Sequence, residues 1–210
     1  TEDGLVWIKN RDQAYNNSLQ DTVRGAGATK KLSSNLANGQ NSGDNANDWA
    51  GYISAFNNNG FSVDKTGSGS IDWANYNKSG EDYAAWTFRK AKGFFDVVTW
   101  TGDGSSNRQI SHSLSSIPGL IMVKKTSESD NWNVYHRSAH ATSPEDYRLF
   151  LNTSAAASTN DSAWNETKPT SSNFTVGSND QVNGNGKSYV AYVFAGGEST
   201  ASEAVSVDFD

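Results

Sequence analysis

The chain says the same thing twice, and in the same order. Leu5-Val6-Trp7-Ile8-Lys9 returns as Leu120-Ile121-Met122-Val123-Lys124, and Lys31-Leu32-Ser33-Ser34-Asn35 returns as Arg148-Leu149-Phe150-Leu151-Asn152. Gly60-Phe61-Ser62-Val63 returns as Asn173-Phe174-Thr175-Val176, and Tyr83-Ala84-Ala85-Trp86-Thr87-Phe88 as Tyr189-Val190-Ala191-Tyr192-Val193-Phe194. A long-period repeat points to an array of similar structural units rather than to a single catalytic centre. A structural or binding role is therefore the first expectation.

The repeated segments are short, rich in β-branched and aromatic residues, and bounded by Gly, Asn or Ser, which is the signature of strands. Strands are expected at Leu5–Lys9, Ala50–Phe56, Phe61–Asp64, Tyr83–Arg89, Phe94–Thr101, Leu120–Lys124, Trp132–His136, Tyr147–Leu151, Phe174–Val176 and Tyr189–Ala195. Asp44–Ala55 and Ser154–Trp164 could each hold a helical turn or two. Thr101-Gly102-Asp103-Gly104 reads as a hairpin loop between Phe94–Trp100 and Asn107–His112. The fold class expected is all-β, with two tandem β-sandwich or jelly-roll-like repeats. The first repeat occupies residues 1–92 and the second residues 93–197, while 198–210 reads as a linker or the start of a following strand. The second copy opens with the hairpin Gly93–His112, which the first copy lacks. An uncovered strand edge promotes association; another subunit, a segment before Thr1 or the chain's own tail would cover it, and the chain is not expected to be stable as a free monomer. Trp7, Trp86, Trp100 and Tyr192 lie in apolar strand patterns and are expected in the core.

Composition removes several functions. The net charge is −6 and the basic residues are scattered, so no basic patch for nucleic acid forms. No apolar run approaches the ~20 residues of a membrane span, and membrane insertion is not expected. There is no Cys, hence no disulfide and no thiolate metal site. Abundant Asn, Ser, Gly and Thr favour turns over helices, while seven Trp, eight Tyr and nine Phe argue against disorder.

Gly93-Phe94-Phe95-Asp96-Val97-Val98-Thr99-Trp100-Thr101-Gly102-Asp103-Gly104, followed by Ile110-Ser111-His112-Ser113-Leu114-Ser115-Ser116-Ile117-Pro118-Gly119-Leu120-Ile121-Met122-Val123-Lys124, resembles a module repeated in structural proteins of tailed phages, marine ones especially. There a Thr-Gly-x-Gly hairpin precedes a His-Ser-Leu-Gly-x-x-Pro turn and a Val-Lys strand. Trp132–Arg137 and Tyr189–Phe194 fit the same module, and Leu5–Lys9 with Tyr83–Phe88 match it in the first copy. Ser115 stands where Gly is usual, a departure that leaves the turn type open. Ala204-Val205-Ser206-Val207-Asp208-Phe209-Asp210 resembles the opening strand of a concanavalin-like (laminin-G-like) domain. The resemblance implies a virion appendage and names no activity.

Several polar clusters hold residue types that can carry chemistry. His136 and His140, with His112, number three imidazoles, but a strand followed by a loop gives them no set geometry for zinc. Asp44–Asp48 and Asn179–Gly184 hold oxygen ligands without the acid pattern of a calcium loop; Asn and Asp equally build turns. Asp72, Glu81, Asp82, Glu145 and Asp146 are candidates for a glycosidase acid pair, but Glu81-Asp82 aligns with Lys187-Ser188 in the other copy. No nucleophile elbow and no phosphate loop is present. No catalytic residue, metal ligand or cofactor is assigned. Aromatic faces stack on sugars and join subunits; Trp49, Trp73 and Trp164 sit among Asn, Asp and Ser, and are the candidate ligand-binding residues.

The chain therefore reads as a phage-type virion fibre or surface structural protein, oligomeric, located on the virion surface or extracellularly, with no enzymatic activity. Its expected partners are copies of itself or neighbouring virion subunits, with loops available to a cell-surface glycan. A polysaccharide-degrading tailspike and a secreted adhesin or filament subunit stay open as alternatives.

Overall fold

Alternation along each strand decides which layer its side chains enter. In the computed structural model, which describes residues 3–70, 72–159 and 161–197, the chain is all-β with two one-turn helices among the described residues. β1 (Gly4–Asn10) lies between β2 (Ser18–Asp21) and β5 (Tyr83–Arg89) in a three-stranded antiparallel sheet. β3 (Tyr52–Asn57) and β4 (Gly60–Asp64) form a hairpin. The second sheet has six strands. Its order runs β11 (Ser158–Thr159), β10 (Tyr147–Phe150), β9 (Asn133–His136), β8 (Pro118–Lys125), β13 (Ser188–Ala195) and β6 (Phe95–Thr101). β7 (Arg108–Ser111) pairs with β12 (Asn173–Val176) as a separate ribbon. The helices are α1 (Asp161–Trp164) and α2 (Asp180–Asn183).

Three apolar clusters separate four layers. Val6 and Ile8 leave one face of the first sheet to meet Ile53, Phe56, Phe61 and Val63 of the β3–β4 hairpin. Leu5, Leu19 and Leu32 leave the other face to meet Met122, Val134, Tyr192 and Trp132 of the six-stranded sheet. Behind that sheet, Ile121, Val123 and Val193 pack on Ile110, Phe174 and Val176 of the β7–β12 ribbon, together with Trp164 and Val182 of the helices.

The sequence matches fall on corresponding strands in the same register. Leu5 stands opposite Phe88 and Trp7 opposite Trp86; their matches pair the same way, Leu120 opposite Phe194 and Met122 opposite Tyr192. On the other side Trp7 faces Leu19, and Leu19 bridges to Leu32. In the second sheet Met122 faces Val134, and Val134 pairs with Leu149, the match of Leu32. Asn35 accepts a bond from the Asn17 amide (3.0 Å) and donates to Asn16 Oδ1 (2.7 Å). Its match Asn152 accepts from the Trp132 amide (2.9 Å) and donates to Asn131 Oδ1 (2.8 Å). The two ladders pack through equivalent faces, sharing one core.

Polar groups cross that shared core. The buried Asp21 carboxylate accepts from Arg24 Nε at 2.6 Å and from the Tyr192 hydroxyl at 2.9 Å, and Arg24 Nη2 donates to the Tyr192 oxygen at 3.1 Å. Burial raises the Tyr192 phenol well above its ordinary pKa, keeping it a donor. Trp132 Nε1 donates to Ser33 O (2.9 Å), and the buried Lys124 ammonium donates to Ala37 O (2.9 Å) and Asp130 O (2.7 Å).

One expectation about this region is corrected. The hairpin at Thr101–Gly104 does not form: β6 pairs with β13, and β7 with β12, in different layers. Gly102 instead lies against the backbone at Gly184, where an added Cβ would stand 2.1 Å from the carbonyl oxygen. Trp100 reinforces this by stacking on Tyr189 at 5.3 Å and donating to Val182 O at 3.1 Å. β2 is a strand that the polar run Ser-Leu-Gln-Asp conceals; Gln20 earns its buried place by bonding Ile53 N, Tyr76 Oη and Gly27 O. Ser115, where Gly is usual in the turn, keeps the left-handed backbone at φ 55. Residues 198–210, with their expected strand, lie outside the described residues.

Two measurements test this packing. Arg24→Met leaves Asp21 buried without its cation and should cost about 3–5 kcal/mol in urea unfolding; a loss under about 1 kcal/mol would show that Asp21 is solvated. Burial pulls the Lys124 pKa down to about 8, against Asp130 and aided by Lys125. Its folded-state pKa lies below the unfolded 10.5, so from pH 8 to 10.5 the unfolded chain holds the extra proton and rising pH favours the fold. Relative to Lys124→Met, the wild type should gain up to about 1.4 kcal/mol per pH unit across that window. A flat difference would place the ammonium in water.

Candidate functional site

Among the described residues the strand β5 has one partner where its counterpart β13 has two. Asp82 O accepts from Arg11 N and Lys90 N donates to Asp3 O, both at 2.8 Å, so the even-numbered backbone groups turn toward β1. By the alternation of an antiparallel ladder, Ala85 and Thr87 turn theirs outward. On β13 the corresponding groups, at Ala191 and Val193, meet β6 in a ladder running from Ser188–Thr101 to Phe194–Phe95. Bonds at both ends close it, Ala195 N to Phe94 O (2.9 Å) and Gly102 N to Lys187 O (2.7 Å).

This difference fixes the fate of the central aromatic. Tyr192 is fully buried, whereas Trp86 at the matching position is 50% exposed. The expectation that Trp86 is core is thus corrected: nothing described flanks it on the outer edge. Trp86 meets Trp7 edge-on at 6.4 Å and 75°, and Trp7, half-buried, donates its indole N–H to Asn17 Oδ1 at 2.9 Å. Ala85 and Thr87 beside it are exposed as well.

A groove of about 640 Å³ opens next to this edge, lined by Gly4, Val6, Phe56, Phe61, Thr87 and Phe88 among others. Its far wall is β4, and β4 also has a spare edge. Ile53, opposite Val63, spends its N–H on Gln20 Oε1 (2.7 Å) and its carbonyl on Gly27 N (2.8 Å). The Val63 backbone, and Phe61 two residues away, therefore point away from β3. In the second copy, Ser172 O accepts from His112 N (2.9 Å), so the matching edge of β12 is the one β7 takes.

The structure brings Trp49 and Trp73 together and separates Trp164 from them. Trp73 N donates to Trp49 O at 2.8 Å, and both indoles are half-buried. Trp49 lies on Gly69, where a Cβ would meet its Nε1 at 2.6 Å. Trp73 sits at φ 60, a left-handed conformation that a bulky residue holds only when its surroundings impose it. Trp164 is 2% exposed and packs edge-on against Tyr135 at 6.0 Å. As a contact residue it is ruled out: its polar neighbours in sequence belong to α1, whose apolar side closes the core under β12.

The other polar candidates hold local structure. His112 Nδ1 accepts from Leu114 N and its Nε2 lies 3.2 Å from Thr170 O; His136 Nδ1 accepts from Ser138 N; His140 stacks on Tyr147 at 4.6 Å. Among the described residues no group of three or more His, Asp and Glu stands where a metal ion could be held. Asp72 pairs with Lys65 (3.0 Å) and Glu81 with Lys78 (2.9 Å) and Asn10. Asn179 caps α2, accepting from Gln181 N at 2.9 Å, and Asn45 is buried against Gly39 O.

What the open edge offers is a row of backbone donors and acceptors, an aromatic pair and an apolar groove. No residue pattern announces such a site, because among the described residues it is made by the lack of a second strand neighbour to β5. Trp86→Ala should cost under about 1 kcal/mol in urea unfolding, while Trp132→Ala, fully buried, costs about 3–5 kcal/mol. Equal losses would mean that the edge is covered in solution.

No curated protein and no solved structure matches the chain. One family, described as a domain of unknown function (DUF7483), matches residues 1–202, and the chain belongs to that family.

Proposed function

We propose that the chain is a structural and adhesive β-module of a phage-type virion fibre or virion surface protein, working outside the cell. It assembles with copies of itself or with neighbouring virion subunits, and its loops are available to a cell-surface glycan. The observation that carries this reading is the contrast between two equivalent strand edges, β13 closed by β6 and β5 open among the described residues with Trp86 half exposed. An open edge costs a soluble protein its resistance to association unless association is its purpose. The stacking of two ladders through equivalent faces adds to the case: it joins the copies by one continuous core and buried polar ties, which suits a part that bears load. Trp49 and Trp73, adjacent and half-buried, are the residues proposed to meet a sugar ring.

Native-source material seen by electron microscopy, together with light scattering of the purified chain at micromolar concentration, tests the reading. Fibres or particles carrying the chain, and a mass above the monomer, are expected. A compact monomer that survives dilution and is found on no particle would sink it.

A further inference from the structure

We propose that the open side of the first copy is a receptor for one kind of partner: an extended segment of the β6–β7 type from another module, which adds a strand to β5 and a second strand to β4. The inference rests on the structural reading above and goes further by naming the partner's chemistry and its register.

Three observations converge. The outward backbone groups of Ala85 and Thr87 correspond to those of Ala191 and Val193, which pair with Val98 and Asp96 of β6. The outward edge of β4, at Phe61 and Val63, corresponds to the β12 edge at Phe174 and Val176, which pairs with Ile110 and Arg108 of β7. The groove between the two open edges is lined by Gly4, Val6, Phe61, Thr87 and Phe88. Their counterparts Ile121, Phe174 and Val193 pack against Ile110 and Leu114. Two unfilled ladders and an unfilled apolar space thus coincide where the second copy holds residues 95–114. The hairpin β3–β4 does not fill the place, because β3 occupies the opposite edge of β4 from the one β7 takes on β12.

The chain itself supplies the rule for the occupant. It is antiparallel to β5, with alternating residues bonding outward, aromatic or β-branched side chains at its Phe95, Val97 and Trp100 positions, and an aliphatic residue at its Ile110 position. Transferred to β5, the register sets the Asp96 position opposite Thr87, Val98 opposite Ala85 and Trp100 opposite Tyr83. Strand addition of this kind draws affinity from main-chain bonds and specificity from the side chains between them.

The test uses the full chain and a synthetic peptide with the sequence of residues 93–116. Saturable binding is expected, with at least 100-fold slower amide exchange at Ala85 and Thr87. In β6 the even positions bond to β13, so N-methylation of the peptide at Asp96 and Val98 should weaken binding at least tenfold, while N-methylation at Val97 and Thr99 should leave it within about twofold. Because the peptide is altered and the protein is not, misfolding of a variant cannot confuse the result. Thr87→Pro, which removes an outward N–H and spares the β1 ladder, should abolish binding. Lack of binding, binding without protection at Ala85 and Thr87, or indifference to which face is methylated would each overturn the proposal. So would protection in the free chain that grows with its concentration, which assigns the edge to a second copy through β5 itself. Protection lost on removing residues 198–210 would assign it to the chain's own tail and overturn the proposal equally. A chain that forms fibres yet ignores the peptide would refute this inference alone and leave the structural reading standing.

Discussion

The contact on which the rest depends is the buried meeting of Asp21, Arg24 and Tyr192 across the shared core. Two apolar sheet faces alone can slide over one another at little cost. A buried carboxylate cannot, since leaving it without its guanidinium and hydroxyl forfeits several kcal/mol. Asp21 ends β2, Arg24 closes the turn after it, and Tyr192 is central in β13. Their geometry therefore fixes one sheet against the other. Trp132 to Ser33 and Lys124 to Ala37 repeat the constraint away from that centre. With three polar ties at separate points, sliding in either direction breaks at least one.

Much of this was legible in the sequence because strands with one or two buried faces leave a plain pattern. Tyr83–Arg89 is a strand over the range read from the residues, and the other nine expected strands overlap observed ones within a residue or two. The matched strand registers were legible for a further reason. A ladder register is kept by side chains at fixed intervals, so Leu5, Leu32 and Phe88 could each be matched to Leu120, Leu149 and Phe194 before their pairing was visible. Even Asn35 and Asn152 are repeated for a physical cause: an Asn side chain closes the start of β9 by bonding a main-chain amide, and does the same beside β2.

What was not legible depends on neighbours distant in sequence. β2 carries buried Gln and Asp, which read as loop until Ile53, Tyr76 and Arg24 arrive to satisfy them. Trp164 sits in a polar run, yet α1 turns it inward. Thr-Gly-x-Gly has the composition of a tight turn, but Gly102 is there to let one backbone touch another at Gly184, not to reverse the chain. The same residue type serves both ends, and only the partner distinguishes them.

The sharpest case is Trp86 against Tyr192. Both are aromatic, both stand opposite a residue of the strand that opens their ladder, and both belong to runs with apolar side chains on either face. Sequence gives them one reading. Burial of a strand residue, though, needs a neighbour along the sheet as well as a layer above it. Tyr192 has β6 on its free side and a carboxylate to receive its hydroxyl. Among the described residues Trp86 has Trp7 beside it and no strand on its outer side. An aromatic of that size, half exposed on an edge that is unpaired among the described residues, is what the proposed assembly role would use. The strand that would finish it exists in the same chain, already spent on β13.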